Sequence, residues 1–413
     1  MKSTLTIAAL AVLAACSTKQ SETPSNLPEW EPGQLDIHFI YTGRGESNFM
    51  IMPDGTTMLI DAGDWDPKTY PMMCEALPDS SLRAGEWISR YIDRINPNKG
   101  VIDYLMVSHF HNDHMGDARN PAPMTLDRNP DYVLTGIARV GEDFVFRHVF
   151  DRGYPDYNYP LEISDMHTQN YLAFVKWQKE NKGLQQERFI PGMLNQISLL
   201  HNPKDYEGTF SIRNLSANGE IWTGDNDSTV RCYDMNPKNL ESKNENTRSI
   251  AIRVDYGTFS FYTGGDTSGS LRDADGNKFA VDSLVAAACG EVDVCKTNHH
   301  GYLDSMTKGF LDNIRARQYV MAVWDWQHTQ PSVISRIVET RAHEEEPLVF
   351  YGNIPDTLQQ AYSPEPWFNS ICPYYGHIVV RVDKGGKQYR IYVIDASDES
   401  MRILGSYGPY ESL

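Results

Sequence analysis

Cysteine is scarce in this 413-residue chain, and its spacing pairs nothing. The six thiols include no Cys-x-x-Cys, which excludes paired-cysteine zinc sites and thioredoxin-type redox motifs. Positive charge is also short: 37 Lys and Arg stand against 55 Asp and Glu, a formal net charge of -18. Such a surface repels polyphosphate chains at long range, so extended nucleic-acid binding is not expected. A local phosphate pocket built on metal ions stays open, because the ions bring their own charge. A fixed-period repeat and low-complexity tracts are lacking. What remains is globular usage, 40% hydrophobic and 22% charged, enough for one large domain or two smaller ones.

The N-terminus reads as a targeting segment. Lys2 makes a short basic start, and Leu5 to Leu13 is an apolar run too short to cross a bilayer as a mature helix. It ends in Leu13-Ala14-Ala15-Cys16, which resembles a bacterial lipoprotein signal. The resemblance implies removal of residues 1–15 and lipidation of Cys16. Residues 16–34 then form a polar, Pro-rich tether to a membrane, at the outer membrane or another extracytoplasmic face of the cell envelope. Cys74, Cys232, Cys289, Cys295 and Cys372 remain. An odd number leaves at least one unpaired, and buried free thiols are the simplest reading.

Downstream, short apolar strands alternate with turns. Leu35 to Phe39, Asn48 to Met52 and Thr57 to Ile60 read as strands, the last two joined at Pro53-Asp54-Gly55. Residues 82–95 and 165–182 have helical spacing, the second closed by Gly183. Further strands are expected at 104–107, 144–150, 210–215, 250–254, 259–263, 292–296 and 319–323. A helix opens at Pro331 and runs to about His343, and 378–394 forms a hairpin. Residues 117–245 are less regular and read as an elaborated insert, either lid or solvated elaboration.

Histidine numbers only 12, yet three fall in Ser108-His109-Phe110-His111-Asn112-Asp113-His114, directly after an apolar strand. Imidazole with carboxylate suits a divalent metal such as zinc. On an extended segment His109 and His111 face one way. Asp113 and His114 follow in a turn and face a neighbouring point, so the spacing offers two ligands to each of two adjacent sites. Other polar clusters also follow short strands: Asp61, Gly264-Gly265-Asp266, Asn298-His299-His300-Gly301 and His328. Strand ends gathered at one sheet edge are where sheet-based enzymes place their sites, and two sheets with outer helices fit this order.

In these motifs the chain resembles the metallo-β-lactamase superfamily. Asn246-Thr247-Arg248-Ser249, Gly265-Asp266 and His299-His300-Gly301 are similar to the branch of DNA-uptake competence proteins. The resemblance implies an α/β fold, an αββα sandwich of two mixed β-sheets with outer helices, as one domain over 35–413. It implies that His109 and His111 hold one metal, Asp113 and His114 the other, and Asp266 bridges. His300 completes the second site, with His299 nearer substrate; the opposite assignment stays open. Asp61 would orient a ligand from behind. The family's further histidine is replaced by Asn218, so Asp151 or His148 are the substitutes to consider.

The expected cofactor is one or two zinc ions, manganese being the other option. The expected reaction is hydrolysis by metal-activated water, with Asp113 or Asp266 taking a proton and His299 and His328 serving substrate oxygens. A phosphoester, most of all a phosphodiester, is the first substrate class. A lactone, thioester or β-lactam is the alternative, and a lipid-anchored binding protein with a degenerate metal site is the third. Oligomeric state is not legible.

Overall fold

The computed structural model describes residues 25–119, 131–160, 162–232, 244–272, 278–328, 330–340, 343 and 346–413. Cys16, the signal segment and the first part of the tether lie outside the described residues.

The chain opens with β1 (Leu35–Phe39), β2 (Asn48–Ile51), β3 (Thr57–Ile60), α1 (Ala84–Ile95), β4 (Val101–Val107), α2 (Asn112–Met115), α3 (Gly136–Asp143), β5 (Val145–Asp151), α4 (Met166–Lys182) and β6 (Gln185–Arg188). It continues through β7 (Phe210–Ala217), β8 (Glu220–Trp222), β9 (Thr229–Arg231), β10 (Ala251–Tyr256), β11 (Phe259–Thr263), the small hairpin β12 (Ser270–Arg272) and β13 (Lys278–Ala280), and α5 (Val281–Cys289). The last part is β14 (Val294–Lys296), α6 (Lys308–Ile314), β15 (Gln318–Met321), α7 (Pro331–Glu339), β16 (Leu348–Tyr351), α8 (Asp356–Tyr362), β17 (His377–Val382), β18 (Gln388–Ile394) and β19 (Ile403–Glu411).

Two mixed sheets result. One runs β19-β18-β17-β1-β2-β3-β4-β5-β6, the other β16-β15-β14-β11-β10-β7-β8-β9. Strand alternation sorts the side chains. In β4, Tyr104 and Met106 face the second sheet, while Leu105 and Val107 face the helices. The layer between the sheets also holds Ile37 and Phe39 of β1 and Phe259 and Phe261 of β11. Apolar residues of α1, α3 and α4 pack on the outer face of the first sheet. Those of α5, α6 and α7 pack on the outer face of the second. The architecture is therefore helices, sheet, sheet, helices: an αββα sandwich of two mixed sheets, as expected from the sequence.

Local chemistry sets several ends. The Asp165 carboxylate accepts from the amides of His167 and Thr168 and starts α4, and Gly183 in the left-handed region stops it. The helix that opens at Pro331 ends at Glu339, short of the expected His343. The stretch 117–245 supplies α3, α4 and β5 to β9, so it contributes strands to both sheets. All five described cysteines are free thiols, four buried and Cys232 half-buried.

Candidate metal centre

β3 and β4 run parallel in the first sheet, and β11, β14 and β15 run parallel in the second. Their carboxyl ends carry Asp61, the His109–His114 loop, Asp266, His299-His300 and the segment leading to His328. The loop is held by backbone hydrogen bonds: Glu46 N donates to Asp113 O (2.8 Å), Ala62 N to His114 O (2.8 Å) and Gly63 N to Glu46 O (2.8 Å). A Cβ on Gly63 would lie 1.9 Å from Asp113 O, so only glycine lets the two loops approach this closely. Asp61, His299 and His300 have φ of 61°, 44° and 50°. Left-handed backbone at such residues costs on the order of 1–3 kcal/mol each and persists where surroundings over-determine it.

Two donor groups share Asp266. His109 Nε2 and His111 Nδ1 lie 3.0 Å apart, with Asp266 Oδ2 3.7 Å from the former. On the other side, His114 Nε2 is 3.2 Å and His300 Nε2 3.4 Å from the same Oδ2, and Asp113 Oδ2 is 3.1 Å from His300 Nε2. Glu46 joins this second group. In each of the groups His109, His111, Asp266 and Glu46, His114, Asp266, His300, one donor atom per residue falls within 4.8 Å of the others.

The donor set fits a divalent ion. His114 Nδ1 faces Asp61 Oδ2 at 2.8 Å, and Asp61 also accepts from Ser108 N (2.8 Å) and Ser108 Oγ (2.6 Å). His300 Nδ1 faces Ala322 O at 2.9 Å, and His109 Nδ1 faces Ser108 Oγ at 3.1 Å. With each Nδ1 engaged from behind, each Nε2 is turned to the centre, as metal-binding histidines require. His114 Nε2 and Asp266 Oδ1 are buried without a hydrogen-bond partner, and such atoms are costly unless something completes them.

The carboxylates and imidazoles of the centre set one another's protonation. Burial works against the His114 cation, yet the carboxylates of Asp266, Asp113 and Asp61 push its pKa well above the ordinary value. His300 is likewise opposed by burial and raised to about 9, chiefly by Asp266 and Asp113. Burial would raise Asp266, but His300, His114 and His299 hold it well below the carboxylate range. Burial drives His109 the other way, toward the neutral form that binds metals.

The structure brings His109, His111, Asp113, His114, Asp266 and His300 together, with Asp61 behind His114. His299 sits at the margin: its Nδ1 is 2.6 Å from Asp304 Oδ1, its Nε2 3.2 Å from Asn246 Nδ2 and 3.9 Å from Asp266 Oδ2. His328 is 6% exposed and stacks on His300 at 4.7 Å. Burial and the neighbouring His300 and His299 keep its pKa well below the ordinary value. It packs beside the centre as a buried ring whose Nδ1 has no hydrogen-bond partner.

The three substitutes are engaged elsewhere. Asp151 accepts from Gly153 N, Tyr154 N, Tyr157 OH, Tyr171 OH and Gln186 Nε2, which saturates its oxygens. His148 pairs with Glu187 across β5 and β6 and lies at a tilt against Tyr104, ring centres 5.4 Å apart. Asn218 exchanges hydrogen bonds with Arg152, whose guanidinium is paired with Glu245. Sequence reasoning missed Glu46 and Lys296, both fully buried, with Nζ 2.7 Å from Glu46 Oε2. One signal was available: a lysine closing an otherwise apolar strand needs a buried counter-charge.

Residues 42–120 match the family model described as the metallo-beta-lactamase superfamily. No curated protein matches the chain. Among solved structures, one from Thermotoga maritima, described as a zinc-dependent hydrolase of that superfamily, is 12% identical over 70% of this chain and 75% of its own, at a TM-score of 0.25. Human tRNase Z, short form, is 13% identical over 69% of this chain and 91% of its own, at a TM-score of 0.30.

Proposed function

We propose that this chain is a metal-dependent hydrolase of phosphoesters, in particular phosphodiesters, tethered in the cell envelope through Cys16. The observation that carries the reading is the pair of donor groups joined by Asp266. His109 and His111 would hold one ion, and Asp113, His114 and His300 the other. Divalent ions there supply Lewis acidity at phosphorus and lower the pKa of water from ~15.7 to roughly 7. The chain's own residues do the rest. Asp61 and Ser108 keep His114 in the tautomer that presents Nε2. Asp304 holds His299 through Nδ1, and His299 Nε2, which lies 3.2 Å from Asn246 Nδ2, is the atom that would bind or protonate a substrate oxygen. Asp113 or Asp266 would accept the single proton released on attack. The net acidic surface suits a small phosphodiester better than a polymer.

The test is parallel assay of the purified chain, loaded with zinc or manganese, on bis(p-nitrophenyl) phosphate, nitrocefin and simple lactones. Release of p-nitrophenol that is lost in Asp266→Ala is the expected result. Turnover of nitrocefin or lactones alone moves the protein to carbonyl chemistry. No turnover in any arm, with Asp266→Ala retaining biological function, makes it a binding protein.

A further inference from the structure

Lys296 ends β14 with no solvent exposure, and its ammonium has fixed company. Nζ lies 2.7 Å from Glu46 Oε2, donates to Gly265 O at 2.7 Å, and stands 3.9 Å from Asp266 Oδ1. Glu46 is tied in turn: Oε1 accepts from Asn48 Nδ2 at 2.8 Å, and its Oε2 is 3.4 Å from His300 Nδ1. A buried ion pair is poor evidence for stability, since apolar residues of similar volume often serve as well. Its place matters more. The ammonium grips the carbonyl just before Asp266, at a glycine with φ of +51° whose Cβ would strike Ser108. It therefore pins the backbone from which the shared carboxylate projects, and its remaining reach is toward that carboxylate. It also forms an ion pair with Glu46 Oε2, although Glu46 is one of the four residues of the second donor group.

We propose that Lys296, braced by Glu46, is the positioning residue for Asp266, and that Glu46 is its counter-ion rather than a metal ligand. This rests on the reading that the centre binds a divalent ion. Cobalt(II) is the probe, because its visible bands report ligand geometry and its affinity can be read by competition, both without turnover. Lys296→Met alone strands a buried carboxylate, so the deciding variant is Lys296→Met with Glu46→Gln, which removes both charges. The expected result is a folded protein that binds cobalt(II) about 10- to 100-fold more weakly, the range for partners that orient ligands, with shifted bands. Wild-type affinity and bands in the double variant overturn the proposal, for Lys296 then only neutralises Glu46. Since the double variant also removes Glu46, Glu46→Gln is measured alone in every case, and should near-UV circular dichroism show that the double variant does not fold, it decides by itself. Its amide oxygen still accepts from Lys296, so cobalt binding equal to wild type supports the proposal, and weakened binding assigns Glu46 to the ion and overturns it. A wild-type protein that binds no cobalt(II) defeats the metal reading as well, which separates the two failures.

Discussion

At the scale of single residues, the centre depends on groups that never touch an ion. Asp61 accepts three hydrogen bonds, two from Ser108 and one at His114 Nδ1. Asp61→Ala frees both the loop backbone and the His114 ring. Metal affinity should fall about 10- to 100-fold, measured by competition with a chromophoric chelator; unchanged affinity would mean the ring is oriented by packing alone. A second residue, His377 at the start of β17, sets acid sensitivity. His377 is buried, its Nδ1 accepts from Tyr41 N at 2.9 Å, and burial, with His38 adding repulsion, depresses its pKa to about 3. The folded state keeps it neutral while the unfolded state takes up a proton below about pH 6.5. Stability from this group is therefore complete above pH 6.5 and is lost as pH falls toward 3, at up to about 1.4 kcal/mol per pH unit. His377→Gln keeps an acceptor without the titration. Its urea-unfolding free energy should decline less steeply than wild type between pH 6 and 4; identical slopes would refute the assignment.

At the scale of elements, the sandwich rests on rings facing across its middle. Phe261 is 1% exposed and meets Phe39 edge-on at 6.0 Å, joining β11 of one sheet to β1 of the other. Phe261→Ala should cost about 3–5 kcal/mol. Asp165→Ala, which removes only the cap of α4, should cost about 1 kcal/mol. Denaturant midpoints of the two variants should differ accordingly, and a reversed order would place the stability elsewhere. Elements with a local signature were legible in sequence: α1 and α4 by their spacing and stops, β4 and its metal loop by an apolar run ending in histidines. Those without one were not. β19 carries Gly405, Gly408 and Pro409, which read as breakers. It is an edge strand, where missing donors are tolerated. In α5, Val281–Cys289, apolar residues fall on nearly every side and show little periodicity. Glu46 looks like a solvated turn residue, because its partner Lys296 is distant in sequence and only the fold makes them neighbours. Asn218 shows the same limit: the substitution is visible, but its hydrogen bonds to Arg152 are not.

At the scale of the whole molecule, the donors divide between the sheets. His109, His111, Asp113 and His114 follow β4 of the first, while Asp266 and His300 follow β11 and β14 of the second. Bound ions would therefore clasp the two sheets at one edge, and their binding energy would add to folding stability. For an ion at 100 times its dissociation constant that is about 2.7 kcal/mol, and for a chain of this size each kcal/mol moves the melting temperature by roughly 2–4 °C or less. Chelation should thus lower the melting temperature by several degrees. The loss should also be local. Hydrogen exchange should rise at 108–116, 264–268 and 298–302, where the sheets would lose their clasp, because local opening follows the contacts that resist it. It should not change in β17 and β18, which pair with β1 and with each other through backbone ladders away from the metal loop. Asp266→Ala should show the same exchange pattern without chelator, since it removes the carboxylate common to both groups. Uniform acceleration across both sheets would mean that the ions stabilise the fold globally, and no acceleration would mean that the sheets are joined by their apolar layer alone.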